Sequence, residues 1–214
     1  MLHLRLAVNM QNLPLQHLHP STDNLHFVRP ATPNDAKAIG ELTAQSMHET
    51  IVAAIEAPLT STARSIFDSK NFANIWRNTL AQLPSSDHHA LVAIADEKIC
   101  GFIALSPTQP LTFPANHPAT TQLPTTREAF EITNFDINAK YYGENHEARM
   151  LAAVTDILQG ENIEIYIWVF PSAHNLIRFL DKAGFAPLGY QREFTIDSHK
   201  CTQHLWWTTL KSKE

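Results

Sequence analysis

Apolar residues along the chain switch spacing between two and roughly three and a half several times, and each switch marks an element. Leu2, Leu4, Leu6 and Val8 alternate with His3, Arg5 and Ala7, which predicts a short strand. A polar stretch with Pro14 and Pro20 follows, so residues 1–25 read as an N-terminal arm carrying an extra strand. Residues 25–47 predict strand, turn and helix. Thr32 is the N-cap, Pro33 sits at the first helical position where its missing N–H costs nothing, and Asp35 lies in the first turn. Ala36, Ile39, Leu42 and Met47 form the buried stripe. Phe72, Ile75, Trp76, Leu80 and Leu83 predict a second helix over 70–83, stopped by Pro84. Residues 89–107 predict a hairpin, two apolar strands around Asp96–Lys98.

The second half continues in the same way. A strand is expected over 130–137, then a helix over 146–159 with Met150, Leu151, Val154, Ile157 and Leu158 on one face and Gly160 as its stop. Ile163, Ile165, Ile167 and Val169 alternate with Glu164, Tyr166 and Trp168 in a further strand. Ser172 is the expected N-cap of a last helix with Leu176, Ile177, Leu180 and Ala183 inside, closed by Gly184 and Phe185. Two strands near 187–195 and 202–210 finish the chain, the second placing Trp206 and Trp207 on opposite faces.

With 214 residues, 44% of them hydrophobic, the chain can build one self-sufficient core. Residues 107–126 hold five prolines among threonines; neither flank has enough elements for its own core, so the segment reads as an insertion within one domain spanning 26–214. Two cysteines, Cys100 and Cys201, make neither a disulfide framework nor a CxxC motif. The twelve histidines are scattered without ligand-like spacing, so no metal is expected. A net charge of −5 without basic clusters argues against nucleic acid as the partner. No apolar run approaches the roughly 18 residues of a membrane helix, and MLHLRLAVNM is too interrupted for a signal peptide. A cytoplasmic, reduced protein is expected.

The order of elements, together with three segments, resembles the GNAT superfamily of acyl-CoA-dependent N-acyltransferases. FVRPATPNDAKAI is similar to that family's opening strand, turn and helix. INAKYYGENHEARMLAAVTDIL is similar to its acyl-CoA loop and following helix, and IEIYIWVFPSAHNLIRFLDKAGFAPLGY to its fifth strand and fourth helix. The resemblance implies an α/β (α+β) fold: a mixed, mostly antiparallel sheet of about 6–7 strands flanked by about four helices. It implies acetyl transfer from acetyl-CoA, as cosubstrate, to a primary amine on a small molecule, protein or peptide. The alternative is a non-catalytic acyl-CoA-binding or interaction module on the same fold. The arm and the insertion are the segments a homodimer would use.

In the family, the pyrophosphate meets free amides at a helix N-terminus through an Arg-Gly-x-Gly-x-Gly loop. Aligned on Met150 and Leu151, that loop falls on Tyr142, Gly143, Asn145 and Glu147, so only one glycine of three remains. Asn145 tolerates the left-handed conformation better than most residues, whereas the Glu147 carboxylate would repel a diphosphate. The resemblance thus implies coenzyme contacts from Ile137, Asn138, Tyr142, Gly143, Asn145, His146, Glu147 and Ala148, with Ser172 and Asn175 across the cleft. The family's strand-four general base falls on Glu131, between apolar Phe130 and Ile132. Its usual acid, a tyrosine on the last helix, is replaced by Leu180. Tyr141, Tyr142, Tyr166 and Tyr190 remain as other phenols, and Cys100 reads as a strand core residue.

Overall fold

Seven strands and the helices between them follow from these patterns with few changes. A computed structural model of the chain describes residues 26–111, 128–158 and 162–210. The elements run β1 (His26–Pro30), α1 (Ala36–Ile55), α2 (Ser61–Arg64), α3 (Ser69–Ala81), β2 (His89–Ala95), β3 (Lys98–Thr108), β4 (Glu128–Ile137), α4 (His146–Ile157), β5 (Ile163–Val169), α5 (His174–Lys182), β6 (Ala186–Ile196) and β7 (His199–Leu210). They form one sheet in the order β1-β2-β3-β4-β5-β7-β6. Every neighbouring pair is antiparallel except β4 and β5, which are parallel.

Alternation sorts the side chains of each strand to two layers. Ala90, Val92, Ile94, Phe102 and Ala104 pack on Ile39 and Leu42 of α1 and on Trp76 and Leu80 of α3. Leu91, Ile103, Leu105, Ile132, Ile165 and Ile167 face Met150, Leu151 and Val154 of α4 and Leu180 of α5. Trp206 joins this second layer, while Trp207 lies on the opposite face beside Tyr166 and Leu188, as their adjacency requires.

The entry to α1 is an ion-pair turn. Asp35 accepts from Thr32 N–H at 2.7 Å and Thr32 Oγ1 at 2.9 Å, and from both Arg29 terminal nitrogens at 2.7 and 2.8 Å. That bidentate contact drops the Asp35 carboxyl to about 2. Thr32 and Pro33 occupy their expected places ahead of α1. The helix runs past Met47 to Ile55, because Ile51 continues the buried stripe; Met47 itself is exposed. Gly40 sits where α1 crosses α3, and a Cβ there would stand 2.4 Å from Ala73 N. Asp68 caps α3 by accepting from Lys70 and Asn71 N–H. Ile75 and Leu83 do not join the core as expected: they point to solvent, while Trp76 meets Phe102 edge-on at 4.6 Å.

Both tight hairpins turn on two residues of positive φ, Asp96–Glu97 and Asp197–Ser198. β3 keeps Pro107 and Thr108, paired with Phe130 and Ala129, so the insertion begins later than residue 107. Pro107 is tolerated because β2 has already ended opposite Leu105, leaving one neighbour only. Ser172 is not the cap of the last helix: α5 starts at His174, with Ala173 at the N-cap. Its other end is as expected. Phe185 N–H donates to Leu180 O and Gly184 N–H to Asp181 O, with Gly184 at φ 89°, a Schellman stop that buries Phe185 on Leu180. In α4, Ile157 is exposed and Leu158 ends the helix. The arm at 1–25, most of the insertion and Gly160 lie outside the described residues.

Candidate active site

β4 and β5 stay paired only from Glu128–Ile163 to Ile132–Ile167. The next residue, Thr133, is a bulge: Asn134 pairs with Ala104 and Ile132 with Leu105, so Thr133 has no partner in β3. Beyond it β4 pairs with β3 alone, and Trp168 and Val169 pair with β7 alone. The carboxyl ends of two parallel strands therefore separate, leaving one backbone edge of residues 134–137 without a strand neighbour. Phe135 packs on Phe179 of α5, ring centroids 5.6 Å apart, below this opening.

The free edge leads into a turn and then α4. Asn138 Oδ1 accepts from Lys140 N–H, Gly143 has φ +86° and Asn145 φ 62°, so Asn145 takes the left-handed conformation expected of it. A Cβ at Gly143 would touch nothing, so the turn needs glycine there for backbone angle rather than space. No side chain caps α4. Among the described residues the N–H groups of Gly143, Asn145, His146, Glu147 and Ala148 have no acceptor. Free amides and the positive helix end therefore converge at one place.

The expected site residues divide into groups. Gly143 and Asn145 are exposed in the turn; Tyr142 is also exposed, and its phenol is pushed up by burial and by Glu49, Glu147 and Asp136. Glu147 and Ala148 are half-buried in the first turn of α4. Ile137 is buried and Asn138 half-buried at the end of β4. Ser172 and Asn175 follow the carboxyl end of β5, so they stand at the same end of the sheet; the Ser172 Oγ is buried without a hydrogen-bond partner among the described residues. Asn175 Oδ1 accepts from Arg178 at 2.6 Å.

Glu131 lies at the apex of the opening, one pair before the strands part, in register with Tyr166. It is half-buried on the α1 side of the sheet, the face of Asn134 and Asp136. Arg192 shares that face: its guanidinium stacks on Trp168 at 4.6 Å and donates to Gln203 at 2.7 Å, and the Glu131 charge partly offsets the lowering of its pKa by burial. Tyr166, its partner in register, is buried, accepts from Leu111 N–H at 3.1 Å and donates to the buried Glu164 carboxylate. Leu180 is wholly buried. Cys100 is too; its thiol is pushed up to about 11 by burial, which keeps it an unreactive core group.

Sequence spacing missed four features. Arg149 Nη1 donates to Glu144 O at 2.8 Å, which returns a cation to the turn that Tyr142 had left without one. Asp136 is buried against α1, where Thr43 Oγ1 and Asn134 Nδ2 donate to it at 3.2 and 3.3 Å; burial raises its pKa. A cavity of about 40 Å³ lies between Gln45, Ser46 and Glu49 of α1 and Ile137, Asn138 and Tyr142. Finally, His146 does not present an outward side chain. It is wholly buried, stacked on His26 at 5.2 Å and edge-on to Tyr141 at 5.9 Å. Burial lowers its pKa, Arg149 and His26 lower it further, and Glu144 acts the other way.

A seven-stranded sheet in this order, opened between two parallel strands beside an uncapped helix, can be compared with solved structures. An acetyltransferase of the GNAT family from Streptococcus pneumoniae matches with a TM-score of 0.54 at 17% identity, over 86% of this chain and 99% of that one. The fold is the GNAT fold. NAA60 of Arabidopsis thaliana, solved with a bisubstrate analogue, superposes with a TM-score of 0.58 at 13% identity, over 86% and 97% of the two chains. The PaiA N-acetyltransferase of Thermoplasma acidophilum, solved with coenzyme A, gives 0.55 at 16% identity, over 86% and 99%. No protein-family model and no curated protein sequence matches the chain. The mostly antiparallel GNAT sheet and flanking helices expected above are thus the observed architecture.

Proposed function

We propose that the chain is an acetyl-CoA-dependent N-acetyltransferase acting on a primary amine, of a small molecule or of a protein or peptide. One observation carries the reading: the parted end of β4 leads into a turn and the first residues of α4, where five amides are unpaired among the described residues. An extended pantetheine needs a strand edge for its amides, and a diphosphate needs N–H donors at a helix start. Both are present here, in that order along the chain. Arg149 adds a cation and Glu147 opposes it. Structures of this fold with coenzyme A or a bisubstrate analogue bound support the same reading.

The chain's own residues then divide the work. The turn Gly143–Ala148 holds the diphosphate, and residues 134–137 of β4 with Asn138 beyond its end align the arm that ends at Glu131. There the Glu131 carboxylate takes the proton of the attacking amine as a C–N bond forms and the C–S bond breaks. The thiolate leaves unassisted by α5, whose Leu180 has no proton to give. A ligand bound only by the folded chain adds about 2.7 kcal/mol at one hundred times its dissociation constant. Thermal unfolding should therefore rise with acetyl-CoA and with CoA, and thiol release should appear with amine acceptors. Glu131→Gln should lower turnover and leave CoA affinity unchanged. No stabilisation by either nucleotide at millimolar concentration overturns the proposal; binding without thiol release across amines favours the non-catalytic module.

A further inference from the structure

Three donors far apart in sequence meet beside the turn. His26 opens β1, while Glu144 and His146 flank Asn145, the N-cap of α4. One donor atom from each lies within 4.8 Å of the other two. We infer that His26, Glu144 and His146 form a binding site for a divalent transition ion of the zinc type.

The buried histidine is the independent observation. Among the described residues neither His146 ring nitrogen has a hydrogen-bond partner, although the side chain is wholly buried, so the fold does not account for this imidazole as an ordinary core group. Its Nε2 is 3.5 Å from Glu144 Oε2, at the outer limit of a hydrogen bond. Two donors about 2.1 Å from one tetrahedral ion stand about 3.4 Å apart, so that spacing suits a shared ion better. The His26 ring lies against it, planes 25° apart, which brings a second imidazole to the same point. Asp96 Oδ1, 3.9 Å from His26 Nε2, is the outer carboxylate available to orient that ring.

The donor set selects the ion class. Two imidazoles and one carboxylate suit zinc and its neighbours; magnesium and calcium prefer oxygen throughout. A fourth position is left for water. Such an ion would tie the start of β1 to the turn that opens α4, a staple between segments that no main-chain hydrogen bond joins among the described residues. The inference does not depend on acyl-CoA binding and is read without nucleotide.

The test is titration of chelator-treated full-length chain with Zn²⁺ by calorimetry, and with Co²⁺ by its visible bands. Wild type should take one equivalent. His26→Gln, Glu144→Gln and His146→Leu should each weaken binding by at least about tenfold, since losing even an outer-shell partner does that much. Glu144 is exposed, so Glu144→Gln folds as wild type and its result decides. Absence of stoichiometric binding, or Zn²⁺ affinity unchanged by Glu144→Gln, overturns the site. Affinity equal to that of wild type in all three variants places the ion on other histidines and overturns it as well.

Discussion

Replacing His146 by Leu tests how the chain tolerates a polar ring in its interior. The side chain is wholly buried and both ring nitrogens lack hydrogen-bond partners among the described residues. A buried polar group left unsatisfied costs about 1–3 kcal/mol, which a leucine of similar size recovers. Against this stands the edge contact with Tyr141 at 5.9 Å, a pair of the kind worth about 0.5–1.5 kcal/mol. The balance favours leucine by about 1 kcal/mol in metal-free protein. For a chain of this length that raises Tm by about 2–4 °C. The assay is thermal unfolding in chelator and again with Zn²⁺. In chelator the variant should melt higher; with Zn²⁺ only the wild type should gain, and the order should narrow or reverse. A variant that melts below wild type in chelator would show that the imidazole is already well satisfied by the protein, and the reasoning fails.

The acid-side stability should depend on Asp35. Its carboxyl lies at about 2 in the folded chain, against an ordinary 3.8, so its contribution is fully present above the unfolded value and is lost as pH falls from about 4 towards 2. After discounting for screening of the half-exposed Arg29, Asp35→Asn should cost roughly 1–2 kcal/mol near neutral pH and little at pH 2, measured by denaturant unfolding. At the turn, Glu147→Gln should tighten CoA binding by about fivefold and Arg149→Ala should weaken it similarly, the effect of about 1 kcal/mol per charge near an anion. Calorimetry with CoA reads both, and equal affinities in the two variants would remove the turn as the diphosphate site.

Elements with strong local signals were legible in the sequence. Gly184 and Phe185 stop α5 by two hydrogen bonds that need only the residues of that turn, and Asn145 accepts a left-handed backbone because its side chain is short and polar. The sorting of Trp206 and Trp207 follows from strand alternation alone. Errors arose where tertiary contact decides. Ile75 fits a helical stripe yet faces solvent, because α3 meets the sheet through Trp76 and closes on α1 through Ala73. Ser172 has the chemistry of a cap, but the chain turns once more before α5 begins. Glu131 could be placed by counting, whereas its neighbours Arg192, Trp168 and Tyr166 come from other strands and carry no spacing signal.

The departures of the turn from a glycine-rich loop acquire a physical sense from its two sides. In the proposed site an anion would be held by backbone N–H groups, which survive any side-chain change that preserves the backbone angles at Gly143 and Asn145. The side chains are free to carry other chemistry, and there the exposed Glu144 and the buried His146 meet His26. The six residues Gly143–Ala148 can thus offer backbone amides to one ligand and the side chains of Glu144 and His146 to another without competition. Charge links the two. Glu147 weakens the field that a diphosphate needs, Arg149 restores part of it, and a divalent ion held by His26, Glu144 and His146 would restore more. Coenzyme affinity should therefore be higher in zinc-loaded than in chelator-treated protein, and that difference should vanish in Glu144→Gln while the amides remain in place.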